Sequence, residues 1–308
     1  MPPAAPAQSR SGLLYAVGAY LLWGILPLYF LLLLPAGPFE VVAFRVLMSL
    51  AFCALLITAT RGWGRVAALA RDTRTMLFMA LAAVAIYINW QVYVIAALSG
   101  HIIEASLGYF INPIVTVLLG VTVLREKVRP AQWTALAIAA VAILVIVVGY
   151  GSVPWMALAL AFSFGFYGLI KRVVGPKVDA VSGLTIETAW LLPVGVAILV
   201  VVQVAGGGIQ FGSNGPVHAL GMIFAGVITT VPLLLFAAGA RRIPLVALGM
   251  TQFLAPFAQF LIGWLVLGEA MPPERWIGFA LVWVALVVLT VDMIVASRPP
   301  RRASLERV

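Results

Sequence analysis

Charge is scarce in this sequence. Only 9% of its 308 residues are Asp, Glu, Lys or Arg, whereas 64% are hydrophobic. Soluble domains carry roughly 25% charged residues, so a water-soluble fold has no room to hide this much apolar surface, and lipid is the expected solvent. Cysteine is nearly absent as well. The lone Cys53 lies in an apolar run, which excludes a disulfide framework and a thiolate metal site. Only two histidines occur, His101 and His218, both at the ends of apolar runs, where solvated interfacial side chains are expected rather than metal ligands. No cofactor or metal is called for. Equally missing are HExxH, paired aspartates near a loop, a Ser–His arrangement and a phosphate-cradling glycine loop. Their absence speaks against a membrane enzyme acting on lipid and against an ATP-driven pump.

What is present is a series of long apolar runs. A helix needs about 20 apolar residues to cross the hydrocarbon core. Ten candidate spans fall near 12–34, 39–60, 75–99, 102–124, 131–149, 155–170, 181–204, 218–240, 245–267 and 276–296. The sixth is short, and its end is expected to run past Lys171. No stretch alternates in the manner of a membrane barrel. Connections such as "PAGP", "SGH" and "RRIP" leave room only for helical hairpins, so no soluble signalling domain is expected. The leading "MPPAAPAQSR" is polar and short, and the run after it exceeds a signal-peptide core of about 7–15 residues; a retained first span is expected.

Basic residues set the expected orientation. With the N-terminus in the cytoplasm and alternating spans, 17 of the 19 Lys and Arg residues fall on the cytoplasmic side. Arg275 lies outside and Arg45 within a span. The net charge of +9 then faces an anionic membrane leaflet rather than a nucleic acid.

The chain also repeats. Shifted by 143 residues, Phe110 falls on Phe253, Pro113 on Pro256, Gly120 on Gly263, Leu124 on Leu267, Glu126 on Glu269, Pro130 on Pro273, Trp133 on Trp276 and Ala137 on Ala280. Five spans per unit is an odd number, so the second unit enters the membrane inverted, as in many transporters. The expected architecture is an all-α membrane protein of ten transmembrane helices in two inverted five-helix repeats, both termini cytoplasmic. The expected organisation is a cytoplasmic N-terminus at 1–11, repeats at 12–149 and 150–296, and a basic cytoplasmic tail at 297–308.

Polar residues inside the spans carry the functional signal. A charge at the centre of a span costs about 2.5–3.5 kcal/mol on insertion scales. Arg45 is expected to face a cavity, where it could pair with Glu104 across helices; the alternative is that it snorkels outward along its stem. Glu187 is a candidate for proton uptake, with Glu104 beside it in that role; the structural alternative is a hydrogen bond from Glu187 to a helix end, Lys171 or Arg172. In "IYINWQVYV", Asn89 and Tyr93 share a face, and with Trp90 and Tyr87 they suit a mid-sized organic solute or, equally, glue between helices. In "EASLGYFINPI", Gly108 permits close helix approach, and Tyr109 and Asn112 share a face. Gln252 is the counterpart of Tyr109 in the second unit. Trp23, Tyr20, Trp190 and Tyr167 are weaker candidates. Pro113 and Pro256 recur at the same repeat position, as hinges or as static kinks.

The segments "EASLGYFINPIVTVLLG", "LREK" and "ALGMTQFLAPFAQFLIGWLVLGE" resemble the RarD family, in the EamA-type branch of the drug/metabolite transporters. The resemblance covers nearly the whole chain. It implies a ten-helix bacterial inner-membrane protein whose central cavity is formed by spans one to four and six to nine. Spans five and ten would lie outside the cavity, available for homodimerisation. The family name is linked to chloramphenicol sensitivity. The function expected is secondary transport of a small organic solute by alternating access; the other readings are a non-transporting sensor or assembly factor and a lipid-acting enzyme. The expected partners are that solute, membrane lipid and protons, with no nucleic acid.

Overall fold

The computed structural model describes residues 10–123, 125, 129–174, 177–240, 242–243, 248 and 250–297. Leu124, Glu126, Lys127, Arg241 and the basic tail carrying Arg298, Arg301, Arg302 and Arg307 lie outside the described residues. So do residues 1–9, most of the expected N-terminal segment. The described residues form helices and turns and no strand. The helices are α1 (Arg10–Gly24), α2 (Leu26–Leu31), α3 (Pro38–Ala59), α4 (Trp63–Ala70), α5 (Thr73–Leu98), α6 (Ile102–Thr122), α7 (Pro130–Tyr150), α8 (Trp155–Val174), α9 (Ala180–Ala205), α10 (Pro216–Ala240), α11 (Leu254–Leu261) and α12 (Pro273–Ser297). A five-residue π-helical turn, Ile262–Val266, extends α11.

Among the described residues, nine helices, counting α1 and α2 as one, are long and apolar enough to cross a membrane, and Leu254–Val266 is a shorter apolar one. The protein is therefore a multi-pass membrane protein. The expected spans match these helices, α8 running to Val174 as foreseen, except that the ninth is described only from its later part. Residues 245–247 and 249, which belong to that expected span, lie outside the described set.

Proline explains the break between α1 and α2. Pro27 has no N–H to donate, so the carbonyl of Trp23, one turn earlier, loses its helical partner. That carbonyl accepts instead from Gln259 Nε2 of α11 at 3.2 Å. In lipid, an unpaired carbonyl has no water to turn to, so this bond joins the two helices at the point where one of them breaks. Pro113, by contrast, sits inside an unbroken α6, and Pro256 sits in the first turn of α11, where a missing donor costs nothing. Helix α4 was not foreseen. It lies in the basic segment after α3, and its Val66 and Leu69 pack beside Met79, Val174 and Val178.

The packing is pairwise. Helix α1 lies against α10 and α11, and α3 against α9 and α10. Helix α5 lies against α8 and α9, α6 against α8 and α11, and α7 against α12. Small residues allow the closest approaches. A side chain at Gly108 would strike the backbone of Ala157 in α8, and one at Gly226 would strike the backbone of Met48 in α3. Two helix starts are capped by carboxylates from elsewhere in the chain. Glu269 accepts from the backbone N–H groups of Ile102 and Ile103 at 2.6 and 2.9 Å, and Glu104 accepts from that of Met156 at 2.9 Å. Each satisfies donors that a helix start leaves open. Burial raises the Glu269 carboxyl above its usual range, opposed by the bonds from Ile103 and Ile102.

Candidate functional site: a buried arginine, an aromatic ladder and an ion pair

Arg45 lies eight residues into α3, about 10 Å along the helix from its start. Its side chain is buried, with 5% of the residue exposed. The guanidinium stacks over Trp90 of α5, 4.3 Å from the ring centre, and stands 5.7 Å from the ring of Phe30 in α2. Its Nε donates to Thr229 Oγ1 of α10 at 2.9 Å, and that hydroxyl donates to the carbonyl of Ala225. Nη1 is buried with no hydrogen-bond partner.

From Phe30 a ladder of aromatic rings leads away through the bundle. Successive ring centres are 6.0 Å apart from Phe30 to Tyr93, 5.6 Å to Tyr109, 6.1 Å to Phe164 and 5.9 Å to Tyr167. Four helices supply these rings: α2, α5, α6 and α8. Most of the contacts are edge-to-face, the arrangement the ring quadrupole favours. The ladder ends at a second charged group. Tyr167 donates to Glu187 Oε2 at 3.2 Å, and Lys171 Nζ pairs with Glu187 Oε1 at 2.8 Å while standing 5.6 Å from the Tyr167 ring. Glu187 is 1% exposed, whereas Lys171 reaches the edge of the bundle.

Asn89 fastens the middle of the ladder. Its Nδ2 donates to the carbonyl of Leu160 and to Ser163 Oγ, both at 3.2 Å, and its Oδ1 accepts from Tyr109 at 3.0 Å. Asn112 donates to the carbonyl of Ala161 at 3.1 Å. These amides tie α5 and α6 to α8 and hold Tyr109 at one angle. Beside the ladder, Cys53 Sγ lies 3.6 Å from Thr230 Oγ1, joining α3 to α10.

The structure thus brings Arg45, Trp90, Tyr93, Asn89, Tyr109 and Glu187 into one connected group. Phe30, Phe164 and Thr229 belong to it but were missed from sequence. Rings and hydroxyls inside apolar helices give no local signal, and only the cross-helix packing reveals them.

Two expectations are corrected. Arg45 and Glu104 form no ion pair; Glu104 instead accepts from the backbone N–H of Met156 at the start of α8. His218 is not a solvated interfacial side chain. It is buried, its Nδ1 accepts from the Gly212 N–H at 3.2 Å, and its Nε2 therefore carries the proton donated to the Leu33 carbonyl at 2.8 Å. Both ring nitrogens are engaged. Gln252 is half-buried in the turn before α11, with no described bond to the ladder. Two cavities lie apart from the ladder. One is small and bounded by Ile103, Glu104 and Arg275. The other, about 430 Å³, is an apolar recess between α6, α11 and α12 that includes Phe110, Phe257 and Trp283.

Comparison with known proteins agrees with this architecture. Residues 10–148 match the EamA-like transporter family. The chain is 44% identical over 296 residues to "Protein RarD" of Streptomyces exfoliatus, covering 96% of this chain and 92% of that one. It is 39% identical over 291 residues to "Protein RarD" of Escherichia coli (strain K12), covering 94% and 97%. An "Uncharacterized transporter" of Vibrio cholerae is 38% identical, covering 96% and 97%. A solved structure described as "Crystal structure of protein" superposes with a TM-score of 0.57 at 19% identity, covering 93% of this chain and 99% of that one. At that identity the likeness speaks for the fold alone.

Proposed function

The chain belongs to the RarD family of EamA-like transporters, and on that premise we propose that it is a secondary transporter of a small organic solute in the inner membrane of a bacterium. It works by alternating access, without covalent chemistry. The observation that carries this reading is the aromatic ladder, which runs through the bundle from buried Arg45 to the Glu187–Lys171 pair. Aromatic rings offer a solute an apolar surface at low entropic cost, and Arg45 and Asn89 lend it orientation.

Ten spans in two inverted units, with both termini cytoplasmic, form part of the proposal. Numbering the spans one to ten, the packing supports the inversion. Span one against eight has its counterpart in six against three. Span two against eight has its counterpart in seven against three, and span four against six in nine against one. A pseudo-twofold axis in the membrane plane interconverts each pair, the relation that lets two units exchange inward and outward shapes. Pro113, inside α6, is the bending point of the first unit, and Pro256, in the first turn of α11, is its positional counterpart in the second. Spans five and ten, α7 and α12, pack on each other at the edge of the bundle, which suits them to a homodimer contact.

Proton coupling is assigned to Glu187. Protonation would remove the charge that holds Lys171 and loosen α8 from α9. Glu104, committed to a helix start, is left out of this role. The test is flux into proteoliposomes for a panel of labelled amino acids, nucleobases, amphenicols and organic acids, with and without an inward proton gradient. Uptake above empty liposomes supports transport, and loss of proton dependence in Glu187→Gln supports the coupling site. No flux of any solute by folded protein overturns transport, and an unchanged proton dependence in Glu187→Gln overturns the coupling.

A further inference from the structure

We propose that the solute is a monovalent organic anion, a carboxylate with an aromatic or apolar body, whose charged group binds Arg45; this rests on the transporter reading above. Three charged residues are deeply buried among the described residues: Glu40, Arg45 and Glu187. Glu187 has Lys171, and Glu40 accepts from the Gln210 backbone N–H at 2.9 Å. Arg45 is the exception. No carboxylate of the described residues pairs with it, and its guanidinium meets the rings of Trp90 and Phe30 and the Thr229 hydroxyl. Stacking on Trp90 offsets only part of the cost of an arginine inside a span. A bound anion supplies the remainder.

The free donors indicate where the anion sits. Arg45 Nη1 has no partner, and neither has the hydroxyl of Tyr93, a residue 3% exposed whose ring lies 6.0 Å from Phe30, the same ring that Arg45 approaches. Ser49, one turn along α3 from Arg45, also has a buried oxygen without a partner. Polar atoms left unpaired in a dry interior are rare enough to need a reason, and one on the arginine with two more from Ser49 and Tyr93 fit a site built for an acceptor. A carboxylate matches the planar guanidinium edge.

The charge count favours a monoanion. Arg45 contributes a single positive charge, and Lys171, at the far end of the ladder, is neutralised by Glu187. A phosphate, with about two negative charges, would leave one unmatched. The body of the solute then lies along Tyr93, Tyr109 and Phe164.

The test uses the full chain in lipid nanodiscs. Binding of benzoate, phenylacetate and phenylpropionate is measured by isothermal titration against phenylacetamide, inorganic phosphate and chloride, for wild type, Arg45→Lys and Arg45→Met. Thermal melting checks folding. At least one carboxylate is expected to bind. Phenylacetamide is expected to bind at least ~30-fold more weakly than phenylacetate, and Arg45→Met to lose at least ~30-fold in carboxylate affinity. Arg45→Lys is expected to lose about 10-fold, since an ammonium lacks the planar fork. Phosphate and chloride are expected to bind more weakly than the carboxylates. The inference is overturned if no carboxylate binds, if the amide or the inorganic ions bind as tightly, or if Arg45→Met retains affinity. Should Arg45→Met not fold, Arg45→Lys and the amide comparison on wild type decide. Parallel flux assays separate the two readings. Arg45-dependent carboxylate binding without flux upholds the anion site and removes transport. Flux of a neutral solute unchanged in a folded Arg45 variant does the reverse.

Discussion

Removing one partner of the Lys171–Glu187 pair tests the charged end of the ladder. Glu187 is 1% exposed and pairs with Lys171 at 2.8 Å, with a second bond from Tyr167 at 3.2 Å. Breaking a buried pair by removing one partner costs about 3–5 kcal/mol, because the other charge is left uncompensated. The two sides are not equal here. The Lys171 side chain is 25% exposed, so in Glu187→Gln its ammonium swings toward water along its flexible stem. That variant is expected to lose only about 2 kcal/mol, below the full cost of a buried pair. Lys171→Met leaves the charge on a carboxylate with no such escape and is expected to lose the full amount. The double variant Lys171→Met, Glu187→Met replaces the pair with apolar groups and is expected to melt close to wild type, since such replacements are often neutral. Each kcal/mol moves a melting midpoint by about 2–4 °C in a chain of 150–250 residues. The singles should therefore fall by several degrees, with Lys171→Met the lower. Thermal melting in detergent micelles, monitored by tryptophan fluorescence, checks this. Single variants that melt with wild type, or a double variant as unstable as the two singles combined, would refute the assignment of a coupled buried pair.

Three further outcomes follow from the packing. Gly108→Ala pushes a methyl group against the backbone of Ala157, and overpacking of this kind costs about 1–3 kcal/mol; a lower melting midpoint is expected. Gln259→Leu leaves the Trp23 carbonyl without its partner at the α1–α2 break, at a cost of about 1–3 kcal/mol, and a melting midpoint equal to wild type would contradict the assignment. Asp72 caps α5 by accepting from Thr75 and Arg74, and the Thr75 hydroxyl and amide hold its carboxyl below the usual range. Its capping contribution is therefore present above the ordinary carboxylate pKa and lost as pH falls through the depressed one. Amide exchange in the first turn of α5, relative to Asp72→Asn at each pH, should be slower in wild type near neutrality and converge in acid.

Much of the frame was legible because lipid imposes simple rules. Length and hydropathy located the spans, and the polar breakers of "EASLGYFINPI" are packing devices in the structure. Gly108 brings α6 against α8, Asn112 bonds across to α8, and Tyr109 is a rung of the ladder. Arg45 stands out because charge inside a span is costly, and Lys171 is one of the structural partners the sequence offers Glu187, beside Arg172 and a helix end. The partner of Glu104 was not legible. A carboxylate at a helix end can be satisfied by any nearby amide start, and sequence separation does not tell which. Phe30, Phe164 and Thr229 escaped for a related reason: aromatic and hydroxyl residues are ordinary in apolar helices until a fold sets them beside Arg45. Helix α4 was hidden within a basic segment, where Val66 and Leu69 are too few to register as a helical face.

Solute counterflow tests the central claim most directly. Proteoliposomes loaded with a high concentration of an unlabelled carboxylate that binds the protein are diluted into a trace of the same solute carrying a label. A carrier that alternates its access draws the label inward against its own gradient, so a transient overshoot above equilibrium is expected, and it is expected to vanish in Arg45→Met. Label that never exceeds the level in empty liposomes, or that only equilibrates without an overshoot, would contradict an alternating-access carrier.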